Sequence, residues 1–312
     1  MKTVITGGDG FLGSHLTEQL VEQGHEVVVI GRFPYERSRN LEHLRGRVQF
    51  VHADLNHPDR YENALESVEV VYHLAASSNP VLSWNDPIGE LETHVKPTLH
   101  LVEAAVRRGV KKIVFASSGG TVYGASQLPI DENAKPEPFS PYGIAKMSQE
   151  YYLHHYQQAN GLQYDIYRIS NVYGPRQKIA NRQGVIATWM HQILHDEPLE
   201  VYGDEKTLRD YIHVRDVAHL MGHSLLNTAH SDTFNLGTGR GVSILELLRI
   251  FQQSIPKSFE VVQHPRRSSD NQSIVLDNAK LLECFPDYRF RTLEEEIPRL
   301  WEEIQVSFRS LK

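Results

Sequence analysis

The sequence predicts a doubly wound α/β domain followed by a smaller α/β lobe, and three observations carry that prediction. Short apolar runs alternate with helix-length amphipathic segments through the first half, a glycine-rich turn follows the first run, and the rhythm weakens after about Tyr173. Strand, helix, strand in this alternation implies right-handed crossovers and a parallel sheet covered on both faces.

Taken in order, Val4-Ile5-Thr6 opens the chain as a buried strand. Phe11–Gln23 follows as a helix whose Phe11, Leu12, His15, Leu16 and Leu20 share a face. Glu26–Ile30, Val48–Val51 and Val70–Leu74 read as further strands. Thr93–Arg108 carries apolar residues at helical spacing ahead of the strand Lys112–Ala116, and Pro141–Asn160 does so ahead of Tyr164–Arg168. Beyond Tyr173, Pro175, Pro198, Pro256, Pro265, Pro286 and Pro298 cut the chain into shorter pieces. The expected division is residues 1–173 against 174–312, with segments near 209–240 returning to the first domain.

Composition narrows the function. The 312 residues are 40% hydrophobic and 23% charged with a net charge of −7, a globular balance that disfavours disorder and general nucleic-acid binding. Cys284 is the single cysteine, which excludes an internal disulfide framework and multi-cysteine metal sites and suits a cytoplasmic setting. No apolar run approaches the roughly 18 residues of a membrane span, and Met1–Thr6 reads as a strand, not a leader. The 17 histidines are scattered and form no compact ligand cluster, so no metal is expected.

The first strand runs into Thr6-Gly7-Gly8-Asp9-Gly10-Phe11-Leu12-Gly13. Gly7 permits a tight turn, Gly10 a close approach of backbone to a pyrophosphate, and Gly13 close packing of helix on strand. Placed between a strand and a helix, the triplet predicts a dinucleotide whose phosphates face the helix N-terminus. The second strand usually ends in an acid that binds the adenosine ribose; here Gly31-Arg32 stands in that place, with Arg37 and Arg39 nearby. A guanidinium suits a 2′-phosphate, or else Arg32 stacks on adenine or points to solvent, so NAD and NADP stand level.

Ser140-Pro141-Tyr142-Gly143-Ile144-Ala145-Lys146 has the signature of a helix start, with Ser140 as cap and Pro141 in the first turn. Tyr142 and Lys146 are then i and i+4 on one face. A phenol titrates near 10 and serves as a base only when its anion is stabilised, as a neighbouring ammonium would do. The pair follows a strand whose end carries hydroxyls at Ser117, Ser118 and Thr121, where ligands gather in such sheets.

These motifs, together with Ser117-Ser118-Gly119-Gly120-Thr121-Val122-Tyr123-Gly124, make the chain resemble an extended short-chain dehydrogenase/reductase of the NAD-dependent epimerase/dehydratase family. It is most similar to the UDP-glucose 4-epimerase group. The likeness extends through Asp54-Leu55, His73-Leu74-Ala75-Ala76, Asn171-Val172-Tyr173-Gly174-Pro175-Arg176, Val201-Tyr202-Gly203, Arg209–Val214, Asn235–Gly239 and Arg267-Ser268-Ser269-Asp270. The resemblance implies a Rossmann domain binding NAD or NADP through Gly7, Gly10, Phe11, Leu12, Gly13, Arg32, Asp54, Leu55, Leu74, Ala75, Ala76, Tyr142 and Lys146. It further implies that Asn171, Val201, Tyr202, Arg209, Arg267 and Asp270 bind a nucleotide-diphosphate sugar, UDP-linked. Arg209-Asp210 could instead be a surface ion pair. The implied assembly is a homodimer built on Thr93–Arg108 and Pro141–Asn160, with Tyr151, Tyr152 and Tyr156 either on that face or in ordinary packing.

Three departures stand out. The family's catalytic Ser/Thr position falls on Gly119, which leaves Ser118, assisted by Thr121, as the expected hydroxyl. His94 and Pro97 occupy places where the group commonly has Asn and Gly, and Gly31-Arg32 replaces the strand-end acid. Thr121 also stands where dehydratases and decarboxylases of the family carry an acid. A hydroxyl is a poor base, so elimination is disfavoured and 4-epimerisation by reversible hydride transfer through a 4-keto intermediate is expected. An NADP-dependent nucleotide-sugar reductase or dehydrogenase is the enzymatic alternative, and a noncatalytic dinucleotide sensor the alternative from another class. A position that sets room for an N-acetyl group falls near Ile274, which favours an unacetylated sugar.

Overall fold

The computed structural model describes residues 1–76, 80–124, 126–177, 184–265 and 273–309. The chain divides into two compact units. One comprises Met1–Gly124, Glu132–Ile169 and Val217–Phe234, and the other Ala125–Asp131, Ser170–Asp216 and Asn235–Lys312.

The first unit has the predicted doubly wound sheet. Strands β1 (Lys2–Thr6), β2 (Glu26–Gly31), β3 (Gln49–His52), β4 (Val70–His73), β5 (Lys112–Ser118) and β6 (Gln163–Ile169) lie in the order β6-β5-β4-β1-β2-β3, every pair parallel, and a seventh strand, β10 (Asp232–Leu236), lies beside β6 at the edge. The register sets Val4 between Val28 and Val71. Val4, Ile5, Val28, Val71, Ile113 and Val114 are fully buried, as strands covered on both faces require. The order reverses between β1 and β4, so the crevice for a ligand lies at the carboxyl ends of those strands.

Helix α1 (Phe11–Glu22) buries Leu16 and Leu20. Helix α2 (Lys96–Arg107) is entered through one turn, Pro87–Glu90, and a wide π turn, Leu91–Val95. Pro97 offers no N–H to the Thr93 carbonyl and its ring crowds it, so the helix widens there. The Thr98 hydroxyl donates to the His94 carbonyl at 2.7 Å. Helix α3 (Pro141–Asn160) starts as its sequence dictates: Ser140 Oγ accepts from the Gly143 N–H at 3.1 Å and Pro141 occupies the first turn. Gly161, at φ +71°, ends it.

In the second unit, β7 (Asn171–Tyr173), β9 (Leu208–His213) and β11 (Gly241–Ser243) form a sheet in the order β11-β9-β7, and β8 (Leu199–Tyr202) pairs in parallel with β12 (Val261–His264). Helices α4 (Val185–Leu194), α5 (Ile244–Ser254) and α6 (Leu293–Arg309) enclose a core around Trp189, Phe251, Ile297 and Trp301. Among the described residues, no helix is long and apolar enough to cross a membrane.

Candidate active site

At the head of β1 the backbone is packed so closely that side chains are excluded. Gly7 holds φ +69°, and a Cβ there would stand 2.8 Å from Ala75 Cα; one on Gly13 would stand 2.1 Å from the Gly7 carbonyl oxygen. The loop, the start of α1 and the segment Leu74-Ala75-Ala76 after β4 are thus brought together. Gly10 precedes α1 without any side-chain cap, so the first-turn N–H groups of Phe11, Leu12 and Gly13 are available to an anion. A cradle that admits backbone alone, at the switch point of the sheet, fits the diphosphate of a dinucleotide. Leu55 is buried in the core against which Ala75 packs, and Asp54 Oδ1 accepts the Asn56 N–H at 2.8 Å. Arg32 is exposed at the end of β2.

The four candidate catalytic side chains converge on the carboxyl end of β5. Lys146 is buried, and its Nζ donates to the Ala116 carbonyl at 2.8 Å, 4.7 Å from the Phe115 ring centre and 5.7 Å from that of Tyr142. Ser118 ends β5, and Thr121 sits in the short turn Gly119–Val122, with its carbonyl 2.4 Å from where a Gly143 Cβ would be. Glycine at 143 therefore lets α3 press its first turn onto this loop. Thr121 Oγ1 is enclosed without a hydrogen-bond partner among the described residues, whereas Ser118 is partly exposed. Burial pushes the Tyr142 phenol up to about 12, with the Glu90 charge adding to it. Burial likewise pulls the Lys146 ammonium down to about 8, against the pull of Glu150 and Glu90.

Behind this pair lies a buried network in which Glu150 and Arg168 stand outside the sequence motifs. Ser117 Oγ donates to Glu150 Oε1, and Arg168 clamps the same carboxylate, with Nη2 at 2.8 Å and Nε at 3.2 Å. Arg168 Nη1 also donates to the Tyr123 hydroxyl at 2.8 Å. The spacing Lys146/Glu150, i and i+4, is the sequence signal that sets Glu150 on the catalytic face of α3. A second buried pair sits at the π turn, where His94 Nδ1 is 3.0 Å from Glu90 Oε2. Burial lowers the His94 pKa, Glu90 opposes that, and Lys146 reinforces it.

In the second unit, Asn171 and Arg209 lie on the paired strands β7 and β9. Asn171 Nδ2 donates to the Asp210 carbonyl at 2.9 Å, and Arg209 Nη1 to the Leu208 carbonyl at 3.1 Å. Asp210 is fully buried, and its carboxylate accepts from the Thr238 N–H at 2.9 Å, the Thr238 hydroxyl at 2.8 Å and the Gly239 N–H at 3.2 Å. That corrects the alternative of a surface Arg209-Asp210 ion pair: the carboxylate organises the Asn235–Gly239 turn from inside. On β8, Val201 turns its side chain into the core while Tyr202 stacks on His264 with ring centres 4.6 Å apart. Strand alternation thus leaves only the Val201 backbone for a ligand. Ile274 is buried beside β9, its N–H donating to the Leu208 carbonyl at 3.0 Å. Arg267 and Asp270 lie outside the described residues.

Comparison with known proteins identifies the family. A model of the NAD dependent epimerase/dehydratase family matches residues 3–237. The UDP-glucose 4-epimerase of Mycolicibacterium smegmatis is 34% identical over 287 residues, covering 91% of this chain and 92% of that protein. The crystal structure of Thermotoga maritima UDP-glucose 4-epimerase with UDP-glucose superposes with a TM-score of 0.90 at 32% identity, covering 99% of this chain and 100% of that one. The Thermus thermophilus UDP-glucose 4-epimerase complex with NAD does so with a TM-score of 0.86 at 33% identity, covering 98% and 99%. Matched over most of its length in sequence and throughout its fold, the chain belongs to the NAD dependent epimerase/dehydratase family.

Proposed function

We propose that this protein is a nucleotide-sugar 4-epimerase that inverts C4 of a UDP-linked, unacetylated hexose with NAD as its resident cofactor. The observation that carries the reading is the Tyr142/Lys146 pair at the end of β5, in the same unit as the glycine cradle. Bound NAD supplies a hydride acceptor and a positive charge. Tyr142 takes the proton from the C4 hydroxyl and returns it after the keto sugar has turned over. Burial and the Glu90 charge hold the phenol up to about 12, so a positive charge beside it is what favours its deprotonation. Lys146 contributes a fixed ammonium beside the ring, and Ser118, the more accessible of the two hydroxyls, orients the reacting oxygen.

Thr121 in place of a carboxylate supports epimerisation over elimination. Residues Asn171, Tyr202, Arg209 and Arg267, with Asp270, serve the UDP portion, and the two units act as cofactor lobe and substrate lobe. Exposed Ile144, Tyr151 and Tyr152 on α3, with Ile88 and Leu91 in the turns that lead into α2, support a homodimer through this face; Tyr156, packed on the core, does not join them. The exposed Cys284 thiol suits the reducing cytoplasm.

The test is interconversion of UDP-glucose and UDP-galactose without added cofactor, followed for wild type and Y142F. The variant is expected to lose roughly 10²-fold or more of turnover while binding NAD as before. Strict dependence on added NADPH, or full activity in Y142F, overturns the reading.

A further inference from the structure

We propose that Asp9, in the glycine-rich loop, takes over the role of the missing acid at the end of β2: its carboxylate receives the adenosine ribose hydroxyls and makes NAD the preferred cofactor over NADP. The inference rests on the dinucleotide reading given above.

Gly31 stands at the strand end where an Asp or Glu would ordinarily reach the ribose. A Cβ built there would be 2.8 Å from Phe50 Cζ and 3.3 Å from Asp9 Oδ1, with Asp9 Cγ at 3.5 Å. The space that a side chain at 31 would enter is therefore held by a carboxylate arriving from the neighbouring loop and by an aromatic ring. Phe50 is itself braced edge-on by Tyr35, ring centres 5.4 Å apart. Asp9 is partly exposed.

The backbone that delivers this carboxylate is fixed. Asn40 Nδ2 donates to the Asp9 carbonyl at 3.0 Å, the Gly10 N–H donates to Gly7 at 3.0 Å, and the Gly7 N–H donates to the Ile30 carbonyl at 2.9 Å. The last bond ties the loop to the residue before Gly31. One negative charge has thus been moved from strand to loop while its location is kept, and Gly31 is the residue that makes room for it. A carboxylate accepts both ribose hydroxyls but repels a 2′-phosphate. Arg32, exposed at the next position, exerts the opposite preference and is the competing determinant.

The experiment is calorimetric titration of NAD and NADP into the full chain, stripped of any dinucleotide carried through purification. Wild type, D9N, D9S and R32A are compared. Wild type is expected to prefer NAD; D9N is expected to weaken NAD roughly tenfold or more and to narrow the NAD/NADP ratio, while R32A keeps the preference. D9S, uncharged and small, gives the same reading should D9N fail to fold. An unchanged ratio in both Asp9 variants, or a wild type that prefers NADP, overturns the inference while leaving the dinucleotide reading standing. A wild type that binds neither dinucleotide overturns both.

Discussion

His73 Nε2 and Thr98 Oγ1 stand 2.7 Å apart, in a buried hydrogen-bond chain that runs from the nucleotide loop to the catalytic helix. The direction of every bond follows from its ends. Thr98 gives its hydroxyl proton to the His94 carbonyl, so it accepts from His73 Nε2–H and from Gln149 Nε2 of α3. His73 Nδ1 is then the acceptor, at 2.8 Å, of the Thr6 hydroxyl, which in turn receives the Ala75 N–H at 3.4 Å. A neutral imidazole of one tautomer is required throughout.

Burial first, then the Lys146 and His94 charges, pull the His73 pKa down to about 3. In the unfolded chain His73 protonates near 6.5, in the folded chain only near 3. Between those values the unfolded state binds the extra proton. Stability from this residue is therefore full above pH 6.5 and is lost as pH falls, at about 1.4 kcal/mol per unit. Urea denaturation of wild type and H73Q in steps below pH 6.5 measures it. H73Q is expected to be less stable at neutral pH and to lose less on acidification; parallel curves would refute a neutral, titration-resistant His73.

Glu150 and Arg168 make a different kind of contribution. Removing one partner leaves a buried charge alone, so Glu150→Gln is expected to cost about 3–5 kcal/mol. Replacing both, as Glu150→Leu with Arg168→Met, removes the uncompensated charge and is expected to regain much of that loss. Denaturation midpoints of the two variants check the order, and equal losses would mean that packing, not charge, sets the cost.

How far the sequence carries is seen by comparing two parts of α3. Its start at Pro141 and end at Asn160 are legible because cap, proline and terminal glycine are local chemistry. The sheet is legible because strands buried on both faces must be apolar throughout, although β5 runs on to Ser118, past the apolar run ending at Ala116. The site's supports are not legible. Glu150 meets Arg168 only because β6 lies beside β5, and Lys112 pairs with Asp165 across that same boundary at 2.7 Å, inside what reads as a hydrophobic strand. The π turn at Leu91–Val95 is hidden by helical periodicity, which hardly changes over one widened turn. Asp9 and Gly31 show their relation only once the loop is folded against β2.

The glycine loop predicts a sharp contrast among three glycines. Gly13→Ala would put a methyl 2.1 Å from the Gly7 oxygen, and neither the Cβ, fixed on its Cα, nor the backbone carbonyl can rotate away. Gly7→Ala combines a positive φ with contact on Ala75. Gly120→Ala meets nothing within 4 Å. Calorimetry is expected to show NAD binding lost in the first two variants and unchanged in G120A, with its stability altered by no more than about 0.5 kcal/mol. NAD binding at wild-type strength by G13A would mean that the loop can open, against the packing described.

Glu90 offers a prediction about rate, since its charge acts on both members of the catalytic pair. It raises the Tyr142 pKa, because a nearby anion disfavours the phenolate, and it supports the Lys146 ammonium against burial. Glu90→Gln removes that charge, so the phenol and the ammonium should both lose protons more easily. The acid and alkaline limbs of kcat/KM are expected to move to lower pH together, on the order of one pH unit, as apparent values of a coupled pair. His94→Gln keeps a donor for Glu90 without a titrating ring and is expected to leave the alkaline limb close to its wild-type position. A purely structural Glu90 would lower the rate at every pH without moving either limb, and that outcome would remove the carboxylate from the electrostatics of the site.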